Sequence, residues 1–277
     1  MLISRMSRWL KVVCCCGLSL LAVIYISPYL WMIMSSFRPS TEPFALRIFP
    51  RSWTIANYIS VLQDKEFLAS AFNSFKVASI SASLALVLGI PAGYSFARFR
   101  FSSRDLMMSF LMVVPTFPGI LLAITLFVMA VKFGVYDTHY PLILANTLIN
   151  LPFTIWNLRT VFEATSREIE ESAMVEGCSR LLALIKVVLP ITLPGLASTF
   201  AFVYILSWNE YLFATTFIAT SEKRLITTTM ASAIGQFNVN YAKLIPAAVL
   251  STLPLIALFM LIQRYIIKGL AMGSTKG

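Results

Sequence analysis

The chain has 277 residues, of which 58% are hydrophobic and only 12% are charged. An ordinary soluble domain is roughly 45–50% apolar and about 25% charged, so this composition excludes a soluble globular protein and indicates a polytopic membrane protein. The formal net charge of +10 does not indicate a nucleic-acid binder, because the Lys and Arg residues stand between apolar segments and do not cluster on one soluble helix.

The first apolar segment follows a short basic stretch. Arg5, Arg8 and Lys11 precede an apolar run over 12–37. A secretory signal peptide begins in the same way, but its apolar region has only about 7–15 residues and ends in an A-x-A-like cleavage site. The run here is longer and lacks that site, which predicts a retained first membrane helix.

Six segments are long and apolar enough to cross the hydrocarbon core, which takes about 20 residues of helix. They are 12–36, 68–96, 106–130, 141–161, 190–219 and 244–267. Several contain proline, which membrane helices tolerate when neighbouring groups satisfy the freed carbonyls. The predicted fold class is therefore all-α, with six transmembrane helices in a single domain over 1–277.

The distribution of positive charge predicts the orientation of these helices. An even number of spans puts both termini on the same side, and cytoplasmic loops carry an excess of Lys and Arg. The short loop 98–104 has three arginines and no acidic residue. We therefore expect the N-terminus, the C-terminus and the loop 162–189 to be cytoplasmic, and the polar segment 38–66 to carry a short interfacial helix outside.

The loop 162–189 differs from its surroundings, because four glutamates lie within nine residues of its first half. Thr165 and Glu168 have the three-residue spacing of a capping box, which predicts a helix that starts near Ser166. The acidic side chains would then lie at the positive end of the helix dipole.

The second half of the loop predicts another helix. Gly177 can adopt a positive φ angle and end the first helix, and Ser179 can cap a second, apolar helix that runs to Pro190. This second helix would rest on the ends of the membrane helices and leave the first one to protrude. On physical grounds alone, the pair is either a solvated connector or a surface that docks against another protein.

The spacing of these residues resembles the EAA loop of ABC importer permeases, which is written E-A-A, three residues, G, nine residues, I-x-L-P. Ser172 replaces the middle Ala and Val187 replaces Ile. In that family the loop is a coupling helix that docks into a cytoplasmic ATPase and transmits its closure to the membrane helices. The residues that the resemblance implies for this coupling are Glu171, Ser172, Ala173, Glu176, Gly177, Leu189 and Pro190.

The resemblance extends over nearly the whole chain, to the carbohydrate-uptake permeases similar to the smaller, six-helix permease of the maltose transporter. It includes "AGYSFARFRF" at 92–101, "LPFTIWNLR" at 151–159, "SWNEYLFA" at 207–214 and "QRYIIKGLAMGSTKG" at 263–277. The implied structure is the type I ABC importer permease fold. The implied location is the bacterial cytoplasmic (inner) membrane, as a multi-pass protein.

The resemblance also implies partners: a second homologous permease, two ATP-binding-cassette ATPase subunits and an extracytoplasmic solute-binding protein. The chain lacks the G-x-x-x-x-G-K-[ST] loop that cradles nucleotide phosphates, so it is not expected to be an enzyme. ATP and Mg would be bound by the partner ATPases, and the chain itself is expected to hold no cofactor. The four cysteines do not have zinc-site spacing, so we expect no metal site.

Polar residues near the outer ends of two spans are candidates for the path of a sugar-like substrate. Trp208, Asn209 and Glu210 lie late in the fifth segment, and Asn73 lies early in the second. An aromatic face suits a sugar ring, while amides and carboxylates suit its hydroxyls, and polar groups at membrane depth are functional candidates. The alternative is that Trp208 anchors the helix at the interface and the polar groups stabilise helix packing.

Two other classes of protein agree less well with the sequence. An ion-coupled secondary transporter usually needs an intramembrane titratable relay and matched halves with broken helices, whereas Glu210 stands nearly alone here. An integral-membrane enzyme needs a nucleophile set, a metal cluster or a carboxylate pair at membrane depth, and none is recognisable in the sequence. The importer permease therefore agrees best with the sequence.

Overall fold

The computed structural model describes residues 8–40, 42, 49–234 and 239–273, and this part of the chain is mostly helical. Arg5 and the last residues of the C-terminal motif, 274–277, lie outside the described residues. The chain divides into two compact units, one of 1–65 with 232–252 and one of 66–231 with 253–277.

The helices have the following bounds. The first six are α1 (Arg8–Ser36), α2 (Ala56–Gln63), α3 (Lys65–Arg98), α4 (Arg104–Val113), α5 (Gly119–Lys132) and α6 (His139–Glu163). The remaining six are α7 (Arg167–Val175), α8 (Arg180–Ala183), α9 (Leu189–Trp208), α10 (Leu212–Phe217), α11 (Ile226–Ser232) and α12 (Tyr241–Gly273).

Within the described residues, four helical stretches are long and apolar enough to cross a membrane. They are Val12–Ser36, Lys65–Arg98, Arg180–Trp208 and Tyr241–Arg264. The stretches Arg104–Thr116 and Gly119–Lys132 make a fifth candidate if they are counted as one bent span. The chain is thus a multi-pass membrane protein with four or five candidate spans, and the number six stays a prediction.

Two predicted spans differ from the observed helices. The segment 106–130 is not one straight helix, because it bends by 89° after Thr116. Pro115 and Pro118 flank this bend, and a proline cannot donate a helical hydrogen bond. The segment 190–219 is also interrupted, since α9 ends at Trp208 and the separate short helix α10 follows.

The fourth predicted segment corresponds to α6, which has 25 residues. That length is about 37 Å of helix, enough to cross the hydrocarbon core. However, polar side chains interrupt its apolar surface, and Asn146, Thr147, Asn150 and Thr154 are buried within the fold. The helix is therefore long enough but less apolar than the four candidate spans.

The unit formed by 1–65 and 232–252 is built around α1, α2 and the start of α12. Phe37 contacts the rings of Trp53 and Tyr58 at centroid distances of 5.8 and 5.1 Å. The buried side chain of Asn57 donates to the carbonyl of Arg38 at 2.6 Å. The helix expected in the segment 38–66 is therefore present as α2, and its buried polar contacts fix the chain that leaves α1.

The unit formed by 66–231 and 253–277 has two main apolar clusters. Val77, Leu142 and Phe217 lie in one of them, and Leu158, Phe162 and Val188 lie in the other. The second cluster joins α3, α6 and the region where α8 leads into α9, so it supports the candidate functional site.

Two glycines bring α3 and α6 close together. A Cβ atom built on Gly93 would lie 2.9 Å from Leu158 Cβ and 3.1 Å from the backbone nitrogen of Arg159. A Cβ atom on Gly89, one turn earlier, would lie 2.6 Å from Thr154 Cγ2. Small residues spaced by four positions allow membrane helices to approach closely, so α3 and α6 form a tightly packed pair.

Candidate functional site: a helical hairpin at the end of the membrane helices

The first helix of the predicted hairpin is α7, and its cap is Ser166. The Ser166 hydroxyl accepts a hydrogen bond from the backbone N–H of Glu168 at 3.3 Å. Thr165, the cap suggested by the sequence spacing, instead donates to the carbonyl of Val161 at 3.2 Å and so belongs to the end of α6. The predicted start is confirmed, but the capping residue is Ser166 and not Thr165.

The turn after α7 has the predicted glycine conformation. Gly177 has a φ angle of 94°, which costs glycine little. The N–H of Cys178 donates to the carbonyl of Ala173 at 3.0 Å, and the N–H of Gly177 donates to that of Met174 at 3.1 Å. These two bonds form a Schellman motif. Ser179 then caps α8 by accepting from the N–H of Leu182 at 3.3 Å, as predicted.

The second helix does not end at Pro190. The stretch Arg180–Trp208 is helical over 29 residues, so the hairpin continues directly into α9. Leu184–Val188 forms a π-helical turn. In an α-helix, the Pro190 ring would crowd the preceding turn, and its missing N–H would leave one hydrogen bond unmade. The wider π-helical turn accommodates both. Leu189 packs against the apolar cluster that contains Leu158, whereas Pro190 is exposed.

A buried polar contact holds α7 against α3. Arg98 Nε donates to Glu170 Oε2 at 2.8 Å, and both side chains are almost fully buried. Tyr94 donates its hydroxyl hydrogen to Glu170 Oε1, and Arg98 also donates to the carbonyl of Thr165 at 3.1 Å. We refer to Tyr94, Arg98 and Glu170 as the clamp.

The sequence did not predict the clamp. Tyr94 is 5% exposed, and its hydroxyl binds Glu170. Tyr94 and Arg98 are four residues apart and therefore lie on one face of α3, which is the signal that could have suggested a shared acidic partner. Which of the glutamates in α7 is that partner depends on the tertiary structure.

A second set of ion pairs surrounds the clamp. Glu163, at the end of α6, accepts from Arg104 at 2.7 Å and from Arg159 at 2.9 Å. Arg167, at the start of α7, donates to the carbonyl of Ala97 at 3.0 Å. These contacts tie α3, α4, α6 and α7 together where the hairpin begins.

The opposite side of α7 is exposed. Ala173 faces inwards and is 8% exposed, while the Val175 side chain is 89% exposed. Glu171, Ser172 and Glu176 are also exposed. Of the seven residues predicted for coupling, Ala173 therefore belongs to the buried face of α7, whereas Glu171, Ser172 and Glu176 are exposed on the other side. Val175, which the sequence had not singled out, lies beside them.

The residues proposed for a substrate path make contacts within the fold. The buried amide of Asn73 donates to the carbonyls of Glu222 and Arg224 at 2.8 and 3.1 Å. Trp208 is 2% exposed and stacks on Tyr204, with ring centroids 5.9 Å apart. Asn73 therefore fixes the connection between α10 and α11, and Trp208 packs inside the fold.

The two remaining path candidates, Asn209 and Glu210, directly follow α9. The exposed side chain of Asn209 donates to the carbonyl of Ile205 at 2.8 Å. The carboxylate of Glu210 accepts from the backbone N–H groups of Phe213 and Ala214 at 2.8 and 2.9 Å, so it caps α10. The structure brings Trp208, Asn209 and Glu210 together at one helix end, but Asn73 binds a different segment.

The loop between α5 and α6 is fastened to the segment that follows α10. Asp137 accepts from the backbone N–H groups of Ala219 and Thr220 at 2.9 and 3.0 Å, from the Thr220 hydroxyl at 2.5 Å and from Lys223 Nζ at 2.9 Å. The hydrogen bonds from Thr220, followed by the one from Lys223, hold the pKa of the Asp137 carboxyl well below its usual range.

Comparison with known proteins identifies the family. A family model described as "Binding-protein-dependent transport system inner membrane component" matches residues 85–272. The ABC transporter permease protein YcjP of Escherichia coli K12 is 30% identical over 266 residues, which cover 95% of each chain. The trehalose/maltose transport system permease protein MalG of Thermococcus litoralis is 31% identical over 264 residues, which cover 94% of this chain and 95% of that one.

A third relative and a solved structure agree. The sulfoquinovosyl glycerol transport system permease protein SmoH of Agrobacterium fabrum is 30% identical over 261 residues, 94% of this chain and 92% of that one. A chain of a bacterial ABC transporter that imports alginate has the same fold, with a TM-score of 0.78, 21% identity, and coverage of 94% of this chain and 99% of that one. The chain therefore belongs to the family of inner membrane components of binding-protein-dependent transport systems.

Proposed function

We propose that this chain is one of two permease subunits of an ABC importer that moves a sugar or sugar-like solute into the bacterial cytoplasm across the inner membrane. The names of its relatives, which include trehalose/maltose and sulfoquinovosyl glycerol transport systems, support this substrate class. The other parts would be a second homologous permease, two ATPase subunits that bind ATP and Mg, and an extracytoplasmic solute-binding protein.

One observation carries the proposal: α7 is clamped on one side and free on the other. The buried ion pair of Arg98 with Glu170 fixes α7 to the membrane helix α3. Its free face, with Glu171, Ser172 and Val175, is available to an ATPase. A protein partner that moves this face would therefore move α3 as well, and α9 through the continuous helix that follows the turn.

The driving force would come from differential binding. A ligand shifts a conformational equilibrium only by the difference in its affinity for the two states. ATP-bound ATPases and the loaded binding protein would therefore have to favour the outward-open state, and hydrolysis would return the permease to the inward-open one. In this scheme the loop 162–189 and both termini are cytoplasmic, and Trp208, Asn209 and Glu210 lie towards the outer side.

The substrate path would pass the end of α9. Asn209 is exposed at the end of α9 and could present its amide to a sugar hydroxyl. Trp208 and Glu210 would act indirectly, by holding this helix end in place. Asn73 would position the connection after α10 and would not touch the substrate.

The first experiment identifies the partners and tests the hairpin. A tagged chain is extracted in mild detergent with its neighbours, and copurifying proteins are identified by mass spectrometry. A P-loop ATPase and a second permease are expected. Glu171→Lys should then lower both ATPase recovery and ATP-driven uptake, while Lys132→Glu, a charge reversal at the exposed end of α5, should leave both unchanged.

Two results would contradict the proposal. The first is a chain that is isolated alone and still transports solute without ATP, which would favour an ion-coupled carrier. The second is equal loss of the chain itself from the membrane in Glu171→Lys, because the effect on uptake would then reflect folding and not coupling.

A further inference from the structure

A basic cavity lies beside the hairpin, where α3 ends and α4, α6 and α7 meet. It has a volume of about 280 Å³ and is lined by Arg98, Arg100, Arg104 and Arg167, with Glu163 as its acidic residue. The lining therefore has a surplus of three positive charges. Arg104 pairs with Glu163, which this surplus already counts. Arg98 pairs with Glu170, which is not part of the lining, so two positive charges remain without an acidic partner in the described part of the chain.

Several guanidinium donors of the cavity remain available. Nε of Arg104 is buried and has no hydrogen-bond partner among the described residues. Arg100 is exposed and makes no hydrogen bond or ion pair within the part of the chain that the structure describes. Arg167 is also exposed and uses one bond, to the carbonyl of Ala97. Arginine donors suit the oxygens of a phosphate group, to which they can donate in pairs.

Exposed apolar side chains stand next to the cavity's arginines in the sequence. Phe99 and Phe101, on either side of Arg100, are 41% and 38% exposed, and Leu106, two residues after Arg104, is 74% exposed. Arginines in a cavity with exposed apolar neighbours in the sequence fit a molecule with an anionic head and hydrocarbon tails. A soluble phosphate would make no use of these apolar side chains.

We propose that this cavity binds the phosphate of an anionic membrane phospholipid, such as phosphatidylglycerol. Basic cavities between the ends of membrane helices are suited to anionic lipid headgroups. The positive surplus disfavours phosphatidylcholine, whose choline group would meet the arginines. Because Arg167 begins α7 and Arg98 belongs to the clamp, a lipid bound here would support the hairpin on the side that faces the membrane.

The test measures lipid binding directly, so it does not depend on transport. The full chain in mild detergent is titrated with phosphatidylglycerol or with phosphatidylcholine of the same acyl chains, and bound lipid is counted by native mass spectrometry. Each arginine near an anionic headgroup strengthens lipid binding by about five-fold. Arg100→Gln or Arg167→Gln should therefore weaken phosphatidylglycerol binding about five-fold, and the double variant should weaken it about 30-fold. Binding of phosphatidylcholine should be weak and unchanged.

Controls separate this site from general charge effects and from misfolding. Arg51→Gln removes an exposed arginine from the segment between α1 and α2 and should leave lipid binding unchanged. Arg100→Lys keeps the charge and should retain most of the binding. If the double variant fails to fold, Arg100→Gln still carries the test, because Arg100 makes no bond within the described residues that its loss would break.

Three outcomes would overturn the proposal. Equal binding of the two lipids by the unchanged chain, or an equal effect of Arg51→Gln, would show that the cavity has no preference for an anionic lipid. Inorganic phosphate that binds with the same dependence on Arg100 and Arg167, without a lipid preference, would assign the site to free phosphate. Loss of copurifying ATPase in these variants with unchanged lipid binding would assign it to a carboxylate of a protein partner.

Discussion

Replacing Glu170 in the clamp by Gln should destabilise the chain. Glu170→Gln keeps an oxygen that can accept from Tyr94 but removes the negative charge that Arg98 contacts at 2.8 Å. The Arg98 side chain is 4% exposed, so its charge would remain buried without a carboxylate. Breaking a buried ion pair in this way costs about 3–5 kcal/mol. Because Arg98 keeps the carbonyl of Thr165 as an acceptor, we expect a value near 3 kcal/mol.

The corresponding double replacement should behave differently. Arg98→Met with Glu170→Met removes both charges and fills their space with apolar groups, and such exchanges are often close to neutral. We therefore expect the double variant to be more stable than Glu170→Gln. In the double-mutant cycle with the single variants Arg98→Met and Glu170→Met, we expect a coupling energy of roughly 2–3 kcal/mol. Glu168→Gln, at an exposed position two residues earlier in α7, is the matched control and should cost only about 0.5 kcal/mol.

The measurement is the free energy of unfolding of the full chain in mixed detergent micelles, followed by helix content as the denaturing detergent is increased. A loss below about 1 kcal/mol in Glu170→Gln would contradict this prediction, since that is the range of a solvent-exposed ion pair. The same conclusion would follow if the double variant were as unstable as the less stable of the two single variants.

Three further predictions follow from other contacts. Gly93→Val should destabilise the chain by about 1–3 kcal/mol, because its Cβ would lie 2.9 Å from that of Leu158. A Cβ atom at Gly17 meets no atom within 4 Å, so the control Gly17→Val should unfold like the unchanged chain in the same detergent titration. The pKa of Asp137 is lowered in the folded chain, so its carboxylate stabilises the fold above the unfolded-state pKa of about 4, and this contribution is lost as the pH falls below it. Between pH 7 and about pH 3, the melting temperature should therefore fall less steeply in Asp137→Asn than in the unchanged chain. Val175→Asp changes a side chain that is 89% exposed, so stability should change by less than about 0.5 kcal/mol while ATP-driven uptake decreases.

The features of the hairpin that depend on nearby residues were predictable from the sequence. Gly177 and Ser179 act through bonds to groups within five positions, so the glycine turn and the cap of α8 were recognised. The choice between Thr165 and Ser166 was not, because Thr165 can bond backwards to the turn of α6 as well as forwards.

Features that depend on distant residues were not predictable in the same way. Glu170 was only one of several glutamates in the loop, and its partners Arg98 and Tyr94 are 72 and 76 positions away. The continuation of the helix through Pro190 depends on a π-helical turn, which no local sequence pattern predicts. Helix length and apolar content predicted the four candidate spans, but they did not reveal the 89° bend before α5.

The continuous helical stretch Arg180–Trp208 has a mechanical consequence. A Cβ atom on Gly195 would lie 2.5 Å from Val161 Cγ1, so the stretch packs closely on α6 near its middle. At 1.5 Å per residue, the two arms on either side of this point are about 22 and about 20 Å long. A rigid-body rotation of the stretch about this contact makes it a lever with nearly equal arms. A shift imposed at the hairpin would then reappear at Trp208 with similar size and opposite direction.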